Sequence, residues 1–498
     1  MTNHKNFNAL KCRWLKKGAV LLTALSLMLS AGCSSKETAP ISDMPEASEV
    51  HITLGHSESN PSGPESETEE SLPDTLVITT STNQFAAGKK ITVKPVSSQS
   101  ETSSSTPAKI KVLPASGASS SGSGKTSSSS RIAVPDELKG IWISYLDFNT
   151  LLKNKSASTF QANIGSAFDK IAAVGLNTVF VQVRPYGDAL YKSQYFPWSH
   201  TITGTEGVNP GFDPLEIMVK EAHQRGLRIE AWINPYRIRS GNSSVALSNS
   251  NPAYKWIQQK DSAVIQYKGV ISYNPASEKA QTLIADGVAE IVQGYDVDGI
   301  HFDDYFYPTT DAAFDQSSYN AYKKAGGTLG LAQWRRQNVD SLIKKVYKAI
   351  KDIDTTVQFG VSPQGNNDNN LNGQYVDVSK WLTGTGYVDY ICPQIYFGYQ
   401  NGTQPYSQTA TQWNNMITSS SVKLYIGLAA YKLGAVDNWA GDGKNEWVST
   451  TNLLSRMVQT GRQQSHYGGF ILFRYDSLFS SNTSQVQKEK QNLTAILK

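Results

Sequence analysis

From residue 138 onward, eight short runs of alternating apolar character recur, most of them separated by a stretch with helical spacing. They read KGIWISYL, NTVFVQVRP, LRIEAWINP, DGIHFDDY, VQFGVSPQ, VDYICPQIYFG, KLYIGLAAY and GGFILFRYD. A strand followed by a helix and another strand returns the chain to the same edge, so successive strands lie parallel. The helical stretches carry their own punctuation. FDPLEIMVKEAHQRG places Asp213 as N-cap, Pro214 at the first helical position and Gly226 at the exit. NPASEKAQTLIADGVAEIVQG and WRRQNVDSLIKKVYKAIKD have the spacing of helices with one buried face. Eight such units in about 360 residues predict an α/β chain folded as a (β/α)8 TIM barrel with enlarged loops. A doubly wound open sheet is the alternative, but no Gly-rich phosphate loop follows the first run, and eight is the barrel's count.

Side chains alternate across a strand, so each run can be oriented. One face is nearly all aliphatic: Ile141, Ile143, Val179, Val181, Val183, Ile229, Ala231, Ile233, Val357, Phe359, Val361, Leu424, Ile426 and Leu428. It should pack on the helices. The other face holds Trp142, Ser144, Gln182, Arg184, Glu230, Trp232, Asn234, His301, Asp303, Ser362, Gln394 and Tyr396. These should point into the barrel, and those at the C-terminal rim lie where barrel active sites form. The eighth run, FILFRYD, is apolar on both faces and gives no orientation.

In DGIHFDDYFYP, Asp303 shares the inward face with His301, while Asp304 should point away unless the strand has already ended. Asp188 and Asp476 are further rim carboxylates, and Glu230 reads as a deep ion-pair partner of Arg184 or Arg228. An ion pair with Arg184 or Arg237 is the competing, purely structural reading of Asp303. Seven tyrosines follow strand ends, namely 145, 186, 236, 305, 307, 396 and 431. Their rings suit the apolar faces of sugars, although packing alone also explains a rim tyrosine. No metal motif such as H-E-x-x-H occurs, and GVSPQG is not a nucleophile elbow, so zinc and serine hydrolases recede and no cofactor is expected.

The start of the chain has its own logic. Lys5, Lys11, Arg13, Lys16 and Lys17 precede GAVLLTALSLMLSAGC, a basic region followed by an apolar run and small residues. This is the pattern of a secretory signal peptide over 1–32. LSAGC resembles a lipobox, with Ser30 where leucine is usual, so Cys33 is the expected lipidation site and membrane anchor. Residues 33–133 are rich in Ser, Thr, Pro, Glu and Gly and should form a disordered linker before a domain at 134–498. Loss of five basic residues with the signal lowers the formal charge from +4 to −1, which gives no electrostatic reason to expect nucleic acid. Of the three cysteines, only Cys392 remains unassigned, so no intrachain disulfide is expected.

KGIWIS, QVRPYGDALY, AWINPYRI, DGIHFDDYFYP, CPQIYFG and the lipobox together resemble the glycosyl hydrolase-like 10 family of exported bacterial proteins. The resemblance runs from about Leu138 to the end of the eighth strand. It implies a (β/α)8 glycoside hydrolase acting on a polysaccharide or on peptidoglycan glycan, held at the cell surface or envelope as a lipoprotein. Carried to matching positions, it supports Arg184, Asp188, Asn234, Tyr236, Arg237, His301, Asp303, Asp304, Tyr305 and Gln394 as site residues. The expected catalytic set is Asp303, Asp304 and Asp188. Substrate contacts are expected from Arg184, Asn234, Tyr236, Arg237, His301, Tyr305, Gln394 and Tyr396. DGIHFDD is also similar to the fourth-strand motif of chitinase-type barrels, but Tyr305 stands where their catalytic glutamate would be, so their arrangement is not carried over. The alternative from another class is a glycan-binding lipoprotein that uses the same barrel without cleavage.

Overall fold

A computed structural model describes residues 131–498 except position 242. The expected signal peptide, Cys33 and nearly all of the expected linker lie outside the described residues. Eight parallel strands close a barrel: β1 (Leu138–Ile143), β2 (Thr178–Arg184), β3 (Arg228–Ile233), β7 (Gly299–Phe302), β8 (Gln358–Val361), β9 (Tyr390–Ile391), β10 (Lys423–Ala429) and β11 (Tyr467–Phe473). They are neighbours in the order β1-β11-β10-β9-β8-β7-β3-β2, and all eight sequence runs form barrel strands. The helices that follow the strands include α1 (Ala157–Val174), α2 (Pro214–His223), α3 (Glu278–Gly294), α4 (Leu331–Ile353), α5 (Val378–Thr383), α6 (Tyr406–Met416), α7 (Leu453–Gly461) and α8 (Ser484–Leu497). The fold is a (β/α)8 TIM barrel.

Local chemistry sets these boundaries. Ser156 caps α1 by accepting from Thr159 N, and Gly175 ends it at φ 98, a left-handed conformation that glycine adopts without strain. Asp213 caps α2 through Leu215 N and Glu216 N, with Pro214 at the first position. The helix proper stops at His223, slightly before the expected Gly226. Between β3 and α3 the chain adds a small antiparallel sheet, β4 (Arg237–Arg239), β5 (Val264–Tyr267) and β6 (Val270–Tyr273), with β6 central. Nothing in the sequence reading anticipated it.

The two faces separate as alternation requires. Ile141, Val181, Ile229, Ile300, Phe359 and Ile426 join the layer between barrel and helices, whereas Leu138, Trp142, Phe180, Trp232, Tyr390, Cys392, Tyr425, Ile471 and Phe473 fill the interior. The ambiguous eighth strand therefore turns Ile471 and Phe473 inward. Two glycines make room for bulky neighbours. A Cβ on Gly299 would lie 2.5 Å from Glu230 Cδ, and one on Gly360 would lie 2.1 Å from the Tyr390 ring.

One strand breaks its alternation. Gln182 pairs with Trp232, but Arg184 pairs with Ile233, a register shift at Val183. Such a bulge re-aims the next side chain. Arg184 thus leaves the barrel on the face of Ile233, its guanidinium 4.3 Å from the Phe196 ring centroid. It lies close enough to α3 that a Cβ on Gly287 would approach its Nη1 to 3.1 Å. The expectation that Arg184 contacts substrate is corrected accordingly.

Candidate active site

β7 stops at Phe302, so the backbone is free of the ladder when it reaches the two aspartates. Both then lie at the mouth, which a continuing strand would have forbidden. Asp303 is 3% exposed and held from β3: Oδ2 accepts from Trp232 Nε1 at 2.9 Å and Asn234 Nδ2 at 2.7 Å. Its Oδ1 accepts from the Tyr305 backbone N–H at 3.2 Å. Asn234 is fixed in turn by Gln182, whose Nε2 donates to Asn234 Oδ1 at 2.6 Å while its Oε1 accepts from Tyr145 N at 3.0 Å. Asp304, partly exposed, accepts from Gln394 Nε2 at 3.0 Å and Gln374 Nε2 at 3.5 Å. The Gln364 side chain also bonds to it.

Burial and the neighbouring Asp304 carboxylate push Asp303 up to about 7, while Arg237 and the hydrogen-bond donors pull against that rise. Asp304 is also raised, by burial first, against the pull of its amide donors. Two interacting carboxyls titrate as a pair, so the pair retains a proton to higher pH than either would alone. This is the condition for acid–base work near neutrality.

Aromatic rings frame the pair. The Arg237 guanidinium lies 4.4 Å from the Tyr305 ring centroid and 4.6 Å from that of Tyr186, with Nε donating to Pro185 O at 2.9 Å. On the other side Tyr396 packs edge-on to Tyr431 and against Phe473, with centroids 5.7 and 5.8 Å apart. The charges of Asp303 and Asp304 are both felt at Tyr396, which places that wall beside them. Asp303, Asp304, Asn234, Arg237, Tyr305, Gln394 and Tyr396 are therefore gathered in one place.

Other expected residues lie elsewhere. His301 faces inward but is fully buried below the mouth, and burial drops its pKa to about 3. Trp142 Nε1, a donor only, reaches His301 Nε2 at 3.1 Å, which leaves Nδ1 to donate to Tyr390 Oη at 2.9 Å. The Tyr390 hydroxyl in turn donates to Glu230 Oε2 at 2.6 Å. His301 is thus a neutral link in an interior chain, with no ring nitrogen left for a sugar. Burial raises Glu230 itself to about 7, against the pull of Arg228, which lies 3.4 Å away.

Asp188 is also fully buried. Burial works to raise it, but the His200 ring at 2.6 Å and Arg239 at 3.9 Å hold it below the usual carboxylate value. It braces the loop after β2, and a catalytic role for it is corrected. Tyr236 turns into the outer core against Phe306, and its hydroxyl finds no partner among the described residues. The expectation that Tyr236 contacts substrate is corrected with it. Asp476 pairs with Arg474 at 3.4 Å. Sequence reasoning did not assign Trp232, Gln364 or Gln374 to the site. Trp232 was on the inward face, and Gln364 closes the run VQFGVSPQ with the parity of Ser362, so both could have been chosen; Gln374 arrives on a loop with no periodic signal.

The model of the Glycosyl hydrolase-like 10 family matches residues 137–445. The chain is 34% identical over 381 residues to the glycosyl hydrolase DigH of Escherichia coli K12, covering 70% of this chain and 85% of that protein. It is 36% identical over 355 residues to the glycosyl hydrolase YngK of Bacillus subtilis strain 168, covering 66% and 68%. Among solved structures, the PgaB glycoside hydrolase domain of Bordetella bronchiseptica aligns with a TM-score of 0.44 at 13% identity, over 72% of this chain and 99% of that one. The catalytic domain of a Paenibacillus polymyxa β-amylase aligns with a TM-score of 0.48 at 12% identity, over 74% and 100%. With its carboxylates at the mouth of a closed parallel barrel, the chain belongs to the Glycosyl hydrolase-like 10 family and is a glycoside hydrolase-type barrel.

Proposed function

We propose that the protein is a surface-anchored glycoside hydrolase that cleaves O-glycosidic bonds of a polysaccharide or of peptidoglycan glycan. One observation carries the reading: two acidic side chains with raised pKa values stand side by side where β7 ends, one clamped by Trp232 and Asn234 and the other by glutamine amides. Glycoside hydrolysis needs a proton donor and a base within one site, and such a pair supplies both. Rings at Tyr305 and Tyr396 offer the flat apolar surfaces against which pyranose faces pack. Two relatives bear the name glycosyl hydrolase, which favours cleavage over binding alone. The cell-surface part of the reading rests on the basic and apolar start of the chain and on Cys33.

The purified protein incubated with peptidoglycan stripped of its stem peptides, and with a panel of polysaccharides, should release new reducing ends from one of them. Asp303→Asn should abolish that release while leaving the folded state intact. Undiminished turnover by this variant removes Asp303 from the chemistry. Binding to a glycan with no new reducing ends makes the protein a binding module instead.

A further inference from the structure

Beyond Ala429, where β10 ends on the side of the mouth, the chain carries Tyr431 and then Trp439 before it reaches α7. Trp439 is 91% exposed, and no other tryptophan among the described residues is exposed. Tryptophan is mostly covered in folded proteins, so a bare indole calls for a reason. A slack loop is not the reason. Trp439 N donates to Asp437 Oδ1 at 3.3 Å and Ala440 N to Asp437 O at 3.0 Å, which closes a turn with Trp439 at its third position. Asp437 is itself buried and paired with Lys432 at 2.7 Å, and Lys432 Nζ also donates to Tyr396 O at 2.8 Å. Gly402 N, from the loop after β9, donates to Ala440 O at 3.1 Å. The turn is thus fastened at two points to the segment that follows β9 and carries Tyr396. Its backbone is fixed while its largest side chain adds almost nothing to the packing of the fold.

Size and continuity decide what covers the ring. An aromatic side chain offers about 150–250 Å². Each partner in a stable protein interface gives roughly 800 Å², so one ring on a turn is too small for a second chain. It is large enough for the flat apolar face of one sugar. Tyr396, Tyr431 and Phe473 already form an aromatic wall beside Asp303 and Asp304, and Trp439 stands on the same loop as Tyr431. We propose that Trp439 is the platform of an outer subsite, on which a sugar ring of the bound polymer stacks away from the bond being cleaved. The proposal rests on the hydrolase reading above and deepens it by giving a long chain a second hold. A contact remote from the reacting atoms is made equally before and in the transition state. It therefore lowers KM for chains long enough to reach it and leaves kcat alone.

The test measures reducing-end release by the purified full-length protein from denuded peptidoglycan strands and the panel polysaccharides. Each chain that is cleaved is compared with its own shortest cleavable fragments. Trp439→Ala should raise KM for the long chain about three- to tenfold, the worth of one aromatic stacking contact, with kcat unchanged. KM for the fragments should stay where it was, because they end before the platform. Trp439→Phe keeps a flat ring and should recover most of the loss, and the thermal melts of both variants should match that of the parent. An unchanged KM on the long chain overturns the proposal. So does an equal rise on the fragments, a Phe variant as weak as the Ala variant, or a lowered melt for Trp439→Ala. A dimer in sedimentation, or binding to vesicles of phosphatidylethanolamine and phosphatidylglycerol, that disappears with Trp439→Ala gives the ring another occupant and also overturns it. All of these leave hydrolysis standing. If no glycan yields new reducing ends, the hydrolase reading fails by itself, and calorimetry with the same long chains judges the platform. There Trp439→Ala should weaken Kd by the same factor, and an equal Kd or no binding at all overturns the subsite.

Discussion

At the scale of single residues, the site depends on how few donors hold two like charges together. Asn234 gives Asp303 one of its three N–H bonds, and a hydrogen bond to a charged group contributes about 1.5–3 kcal/mol. Asn234→Ala should therefore lower kcat roughly ten- to a hundredfold, measured as reducing-end release. The lost donor favoured the anion, so the acidic limb of the pH–rate profile, which reports ionisation of Asp303, should also move to higher pH. Titration of Asp303 reaches into stability as well. Its folded pKa of about 7 lies above the ordinary aspartate value near 3.9, so its stabilising contribution is complete below about pH 4 and disappears as pH rises through 7. Asp303→Asn has no such titration. Between pH 5 and 8 its stability relative to wild type should improve, read from denaturant melts at both pH values. The alternation of β3 and β7 made Asp303, Asn234 and Trp232 readable from the sequence as inward groups. Their depth was not: His301 faces the same way and is sealed under Trp142.

Among elements, the short length of β7 and the bulge in β2 decide which side chains meet. β7 has four residues, so Asp303 and Asp304 escape its pleat together. β2 gains a residue at Val183 and sends Arg184 outward, where no carboxylate lies within ion-pair distance among the described residues and burial lowers its pKa against the pull of Tyr191, Tyr273 and Glu290. A buried cation without a close ion pair costs stability. Arg184→Met, similar in length and without the charge, should leave reducing-end release unchanged and raise the melting temperature, consistent with a gain of about 1 kcal/mol or more. Loss of activity on this substitution would return Arg184 to the site. Sequence pattern announces a strand, but a one-residue bulge leaves the hydrophobic count intact, so VFVQVRP reads as unbroken.

For the whole molecule, the chain enters the barrel at the end opposite the mouth. Arg131 donates to Val297 O at 3.0 Å and Val292 O at 2.9 Å and pairs with Asp354 at 2.6 Å, while Ile132 N bonds Asp298 at 2.5 Å. Buried Arg228 closes the same corner on Ile132 O. Arg131→Ala should therefore cost about 1–2 kcal/mol in denaturant unfolding while leaving kcat unaltered, because its contacts are at the N-terminal ends of the strands. A fall in kcat without loss of stability would contradict that separation of the two ends.

Strand count, helix caps and the two-faced pattern of the runs are local properties of the chain, and from them the barrel and its mouth could be derived before any coordinates. Which polar side chains actually meet there depends on where a strand stops, on a single inserted residue, and on a loop that carries Gln374 from a distant segment. Those distances between non-neighbouring residues are set by packing of the closed barrel, and only the tertiary structure supplies them.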